Sequence, residues 1–190
     1  LPEDDELINQ PFGLVKYYTL GENRWKSTDV WPLPQTQIQR LYLAADYQLT
    51  ASVPESQKGS DHYRVDPTAA TGLNNRWHAQ SPSKPILFPD RQEEDRKLLV
   101  YDTPPLENDT EITGHPVVYL YIRSSATDGQ FFVYLETIDS DGRVRWLTDG
   151  QLRAIHRKVS TEAPPYKLFC PYHSFTQEDV SEYVKCMKDP

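Results

Sequence analysis

Between Leu98 and Lys158, short runs rich in Val, Tyr, Phe and Leu alternate with Asp-Gly and Gly-His-Pro breaks, which restricts this stretch to strands joined by turns. The runs are LLVYDTPPL from Leu98, EITGHPVVYLYIRSS from Glu111, GQFFVYLETIDSDGRVRWL from Gly129 and TDGQLRAIHRK from Thr148. Side chains alternate along a strand, so Val118, Leu120 and Ile122 share one face and Val117, Tyr119 and Tyr121 the other. Both sets are apolar, and both faces are expected to be at least partly covered. In the next run Phe131, Val133 and Leu135 make one apolar face, with Tyr134 and Glu136 pointing away as in a half-exposed strand. Asp141-Gly142 predicts a hairpin into Val144 and Trp146, because a primed turn needs positive φ at its centre. Asp149-Gly150 predicts the turn after that, with Leu152 and Ala154 inward and Arg153 and Arg157 outward. The pattern is that of an antiparallel β-sandwich.

Earlier in the chain, Pro11–Pro34 combines a strand over Val15–Leu20, a Gly21-Glu22-Asn23 turn and two tryptophans, Trp25 and Trp31. A tryptophan covers much apolar area and seeks a partner for its indole N–H, so both read first as core or seam residues. Arg40–Leu43 predicts a strand, and Gln48–Ser60 a mobile polar loop. Leu73–Pro89 has little periodicity, and long irregular loops inside compact domains are often functional or interfacial. Asp90–Arg96 alternates charge signs and reads as a solvated loop or a seam of salt bridges. In the tail, Tyr166–Phe169 predicts a strand, and Ser174 or Thr176 is placed to cap a short helix starting near Gln177.

Composition narrows the function classes. One well-cored domain fits 190 residues, and an aromatic content of 12% suits a sandwich core. The sixteen prolines sit mainly in connections, such as Pro104-Pro105 and Pro164-Pro165, where a missing amide proton costs little. A net charge of −8 argues against nucleic acid as a partner, since phosphates demand clustered Lys and Arg. No apolar run approaches the ~20 residues that span a bilayer, so no membrane association is expected and a soluble, cytoplasmic protein is favoured. Leu1–Gln10 is acidic and linker-like, and a first residue that is not Met suggests a fragment or a processed chain. Cys170 and Cys186 are too sparse for a disulfide framework or a zinc site, and are expected to be reduced thiols.

The chemistry-bearing residues give no catalytic assignment. A G-x-S-x-G nucleophile elbow is missing, and so is the strand–helix alternation that would present one. His62, His78, His115, His156 and His173 could enter a triad only by convergence on another fold, and each reads first as a surface or hydrogen-bonded structural residue. Asp139-Ser140-Asp141-Gly142 superficially resembles a calcium loop. With Asp139 and Asp141 at its third and fifth positions, however, Thr137 and Thr148 would stand where carboxylates are needed, so a hairpin turn is the expected role. No metal site and no cofactor are implied.

The order and wording of the runs from Leu98 to Lys158 resemble the C-terminal β domain of the serine hydrolases typified by X-Pro dipeptidyl peptidase, cocaine esterase and α-amino-acid ester hydrolases. Gly21, Asn23-Arg24-Trp25 and Trp31-Pro32 are similar to the segment leading into that domain, and Asp61–Pro67 with Ala70-Thr71-Gly72 continues the match. The resemblance covers about Pro11 to about Val184 and implies an all-β jelly-roll sandwich, galactose-binding-like, with one or two short helices in its connections. It implies a domain without the catalytic triad, partnered by an α/β-hydrolase catalytic domain of the same parent chain. A family loop near Leu73–Pro89 approaches the acyl pocket, which would put Trp77 and His78 there and Trp25 and Trp31 near the interdomain surface. From the residues alone, Trp77 packing locally and His78 lying exposed is an equal expectation.

The tail departs from the family, since it lacks a later Gly-His-Arg element. A linker-like arm over 1–10 and one sandwich over 11–190 without the family's last strands would leave an open edge, which invites homo-oligomers or instability. Two other readings are a carbohydrate-binding module, which twelve Tyr and four Trp permit, and a stand-alone hydrolase with an unfamiliar triad.

Overall fold

A computed structural model describes residues 15–56, 58–71, 88–162, 164, 170–173 and 175–180. Among these, regular structure is strand apart from single helical turns, so the chain is all-β. β1 (Val15–Thr19) and β2 (Arg24–Thr28) form an antiparallel hairpin in the register Val15↔Thr28 to Thr19↔Arg24. Its turn is feasible because Gly21 and Asn23, at φ +86° and +55°, are residue types that enter the left-handed region most readily. β3 (Tyr42–Leu43) pairs with β4 (Leu49–Thr50), a shorter strand than the Arg40–Leu43 expectation.

β5 (Gln130–Ile138) and β6 (Val144–Arg153) make the longest ladder. Their turn is stapled by one carboxylate: Asp139 Oδ1 accepts the amides of Asp141 and Arg143 at 3.1 and 3.0 Å, and Arg145 Nε donates to Oδ2 at 2.7 Å. Gly142 takes φ +76° there. These contacts hold the Asp139 carboxyl below the usual range, the Arg143 amide contributing most, so a turn occupies the residues that resembled a calcium loop.

Asp149-Gly150 is not a turn. Both residues lie inside β6 opposite Tyr134 and Val133, and Asp149 accepts the Trp146 indole N–H at 3.1 Å. An Asp-Gly pair permits a primed turn without forcing one, and here a continuous ladder satisfies the same backbone groups. Pairing passes from Leu135↔Thr148 to Glu136↔Trp146, which leaves Leu147 as the extra residue of a β-bulge.

The runs from Leu98 and Glu111 also differ from expectation. The first contributes only an isolated parallel bridge, Asp102 to Gln48, with Asp102 N–H donating to Tyr47 O at 3.0 Å and Leu49 N–H to Asp102 O at 2.8 Å. The second is paired with no strand among the described residues, and both of its faces are exposed, from 41% at Val117 to full exposure at Tyr121. Gly114 at φ +139° and Pro116, which has no amide proton, interrupt the backbone just before it.

The packed centre lies where residues 88–97 cross the β5–β6 hairpin. Val144 is the buried hydrophobic residue among those described, and Arg91 the buried charged one. A helical turn, α1 (Gln92–Asp95), sits in this segment. Near the C-terminus, Val159 bridges His173, and Thr176 Oγ1 accepts the Asp179 amide at 3.4 Å to cap a helical turn over 177–180. Tyr166–Phe169 and Ser174 lie outside the described residues. The described strands form three two-stranded sheets, a grouping that does not by itself specify jelly-roll connectivity.

Candidate functional site

The β1–β2 hairpin presents its aromatic residues on two faces. Tyr18 pairs across the ladder with Trp25, their rings edge-to-face at 5.3 Å. Tyr17 points the opposite way and meets Trp31 edge-to-face at 5.8 Å. Trp25 and Trp31 therefore do not share a surface. The Trp31 indole N–H donates to His115 Nε2 at 3.2 Å. Trp77 and His78 lie outside the described residues.

Beside Trp31, Lys26 links the hairpin to the exposed run. Its ammonium contacts Glu111 at 2.6 Å and Glu22 at 2.5 Å. Glu111 and then Glu22 hold the lysine above its ordinary range, while Lys26 and then Thr113 hold Glu111 below its own. Two contacts, Lys26–Glu111 and Trp31–His115, thus moor residues 111–115 to the hairpin just ahead of Val117–Ile122. His115, read as a surface or hydrogen-bonded structural residue beside a turn, is the one that receives Trp31. Nothing in its local sequence signals a partner 84 positions away.

A second cluster was legible only as alternating charge. Asp90 Oδ1 accepts the amides of Gln92 and Val144 at 3.0 and 3.1 Å, and Arg91 N–H donates to Val144 O at 3.1 Å. Phe88 packs on Trp146 with ring centroids 4.6 Å apart. These contacts lay Arg91, only 5% exposed, over the β5 face that carries Tyr134 and Glu136. Its Nε pairs with Glu136, its guanidinium carbon stands 4.2 Å above the Tyr134 ring, and Asp95 faces its terminal nitrogen at 3.8 Å. The β5 face expected to be half-exposed is in fact covered, and by a cation.

Elsewhere, Tyr101 donates to Asp61 at 2.5 Å, and burial first, then Asp61, pushes its phenol up to about 12. His156 lies 4.5 Å from the Phe175 ring, and the Nδ1 atoms of His156 and His173 are buried without a hydrogen bond. Among the described residues, no group of three or more His, Cys, Asp or Glu side chains is arranged to hold a metal, and no helix is long and apolar enough to cross a membrane. Cys170 is a free thiol, and Cys186 lies outside the described residues.

Comparison with known proteins gives this arrangement a context. Proteins of Mycobacterium bovis and Mycobacterium tuberculosis, each named as a serine esterase, are 49% identical over 167 residues, covering 87% of this chain and 26% of theirs. The cocaine esterase of a Rhodococcus strain is 27% identical over 168 residues, covering 83% of this chain and 29% of its own. The chain spans about a quarter of the length of the mycobacterial relatives it matches. No solved structure matches it significantly. Residues 13–182 match the model of the X-Pro dipeptidyl-peptidase C-terminal non-catalytic domain, and with that span the chain belongs to this family of non-catalytic β domains.

Proposed function

We propose that this chain is the accessory β domain of a serine hydrolase, packing on an α/β-hydrolase catalytic domain of the same parent chain and shaping substrate access. The observation that carries this reading is the family match over 13–182, in a chain that spans about a quarter of the length of its esterase-named relatives. The exposed apolar run Val117–Ile122 supports it, because contiguous exposed apolar surface marks a contact site. So do the contacts that fix the start of that run on the β1–β2 hairpin.

The parent is proposed to cleave an ester, or the amide after an X-Pro dipeptide, through an acyl-enzyme, with the nucleophile outside this chain. The esterase is favoured, since the relatives at 49% identity carry that name. The domain is proposed to be a single sandwich of jelly-roll type over 11–190, in a soluble, cytoplasmic protein. Trp31 belongs to the interdomain surface in this proposal, as do Trp77 and His78 at the mouth of the acyl pocket. Trp25 turns to the opposite hairpin face and would line another part of the surface.

The test is to capture the native product from source cells with an antibody against this chain, size it, and treat it with a fluorophosphonate serine probe. A labelled band far larger than 22.0 kDa is expected. An unlabelled band at 22.0 kDa would overturn the proposal and bring glycan binding forward. The glycan reading has little support in the ring geometry, since Tyr17–Trp31, Tyr18–Trp25 and Tyr47–Tyr101 all meet edge-to-face and none forms a flat platform.

A further inference from the structure

The crossing of residues 88–97 over β5 contains more negative charge than it neutralises. Arg91, Asp95 and Glu136 have side chains only 5%, 13% and 15% exposed. Arg91 Nε is committed to Glu136, while Nη2 stands 3.8 Å from Asp95 and makes no hydrogen bond. Asp95 and Glu136 thus share one guanidinium in a largely buried place, and two carboxylates sharing one site favour a proton on one of them, Asp95 being the one that Arg91 does not hydrogen-bond. From its own segment Asp95 faces Arg91, and Lys97 is engaged by Glu94 at 3.0 Å instead. From β5 come Glu136 and, beneath the guanidinium, Tyr134; from the following segment comes Asp102. A single cation thus opposes several acids in a poorly hydrated place.

We propose that Asp95 is a proton-operated latch: its carboxyl is protonated and donates to Glu136 while α1 is seated on β5, and loss of that proton loosens α1 from the hairpin. Burial is the largest cause, followed by the Glu136 charge, and together they push the Asp95 carboxyl from 3.8 up to about 6 against the pull of Arg91. Because the seated value lies above the free value, the stabilisation is complete below about 3.8 and is lost as pH rises through about 6. Seating is weakened roughly tenfold between pH 5 and pH 7.5. The latch acts on the bonds that form the turn, Asp95 N–H to Arg91 O at 3.0 Å and Leu98 N–H to Asp95 O at 2.9 Å.

The experiment is amide hydrogen exchange of Asp95 and Leu98 in the full chain at pH 5, 6 and 7.5, corrected for intrinsic base catalysis. Local opening is expected to rise roughly tenfold across that range in the native sequence and to lose this dependence in Asp95→Asn. A flat native profile, or an equal slope in Asp95→Asn, overturns the latch. Carboxyl 13C chemical shifts supply a reading that needs no variant. An Asp95 midpoint near 6 supports the proposal, and one in the ordinary aspartate range overturns it. In Glu136→Gln the midpoint should fall, and an unmoved midpoint would show that Glu136 is not the partner.

Discussion

The run Gly129–Arg153 and the run Val117–Ile122 look equally strand-like on paper, yet the first forms a nine-pair ladder and the second pairs with no strand among the described residues. The difference lies in where each finds its partner. β5 meets β6 across a turn that Asp139 and Gly142 close locally, so little loop entropy opposes the pairing. Val117–Ile122 has no such turn, and Gly114 and Pro116 interrupt the backbone just before it. Apolar alternation thus marks a segment suited to pairing without saying with what, and this one stays exposed among the described residues.

The largest expected effect tests the covered face of the hairpin. Arg91→Ala would leave Asp95 and Glu136 facing each other without their cation, and should cost about 3–5 kcal/mol in a denaturant melt. Next, Leu135→Asp places a charge on the inward face of β5 and should cost about 2–3 kcal/mol. Leu120→Asp, at a position 43% exposed, should stay within about 0.5 kcal/mol in the isolated chain. Equal losses at the two leucines would erase the distinction between the runs. In the parent enzyme, Leu120→Asp should instead weaken the proposed interdomain contact.

The two Asp-Gly pairs sharpen the comparison further. Gly142→Ala should cost about 1 kcal/mol, since only the backbone at φ +76° resists it and an added Cβ meets no atom. Gly150→Ala, inside β6 and equally unobstructed, should stay within about 0.5 kcal/mol. Equal costs would refute the assignment of turn and strand. The smallest effect contrasts two acids of one segment. The amides of Gln92 and then Val144 hold the Asp90 carboxyl below its usual range, so its stabilising contribution is present above the unfolded value and lost as pH falls through the folded one. Asp95 has the opposite slope. Melts of Asp90→Asn and Asp95→Asn against pH should therefore diverge from the native curve on opposite sides, acidic retention of stability marking Asp90→Asn.

Much of the local architecture could be read from residue order. Gly21 and Asn23 announce the β1–β2 turn, Asp141-Gly142 the β5–β6 turn, and Thr176 the cap of the last helical turn, because each acts on backbone groups a few positions away. The second Asp-Gly pair misled for the same reason: its local permission to turn yielded to a ladder set by Val133 and Tyr134. The candidate site was harder to foresee. Trp31 reads as a core or seam residue and His115 as a surface or hydrogen-bonded one, but their pairing with each other is not legible, and Arg91 is visible only as one charge among several.

By itself the sequence determined the all-β class, the β1–β2 and β5–β6 turns and the membership of a non-catalytic domain family, all of which rest on near-neighbour chemistry and residue order, whereas β4 formed inside the expected Gln48–Ser60 loop. Only the tertiary structure decided which face of β5 is covered, that an arginine covers it, and that Asp95 and Glu136 meet there. Their burial and mutual repulsion arise from groups more than forty positions apart, brought together when one segment crosses another, and no local pattern encodes a distance of that kind.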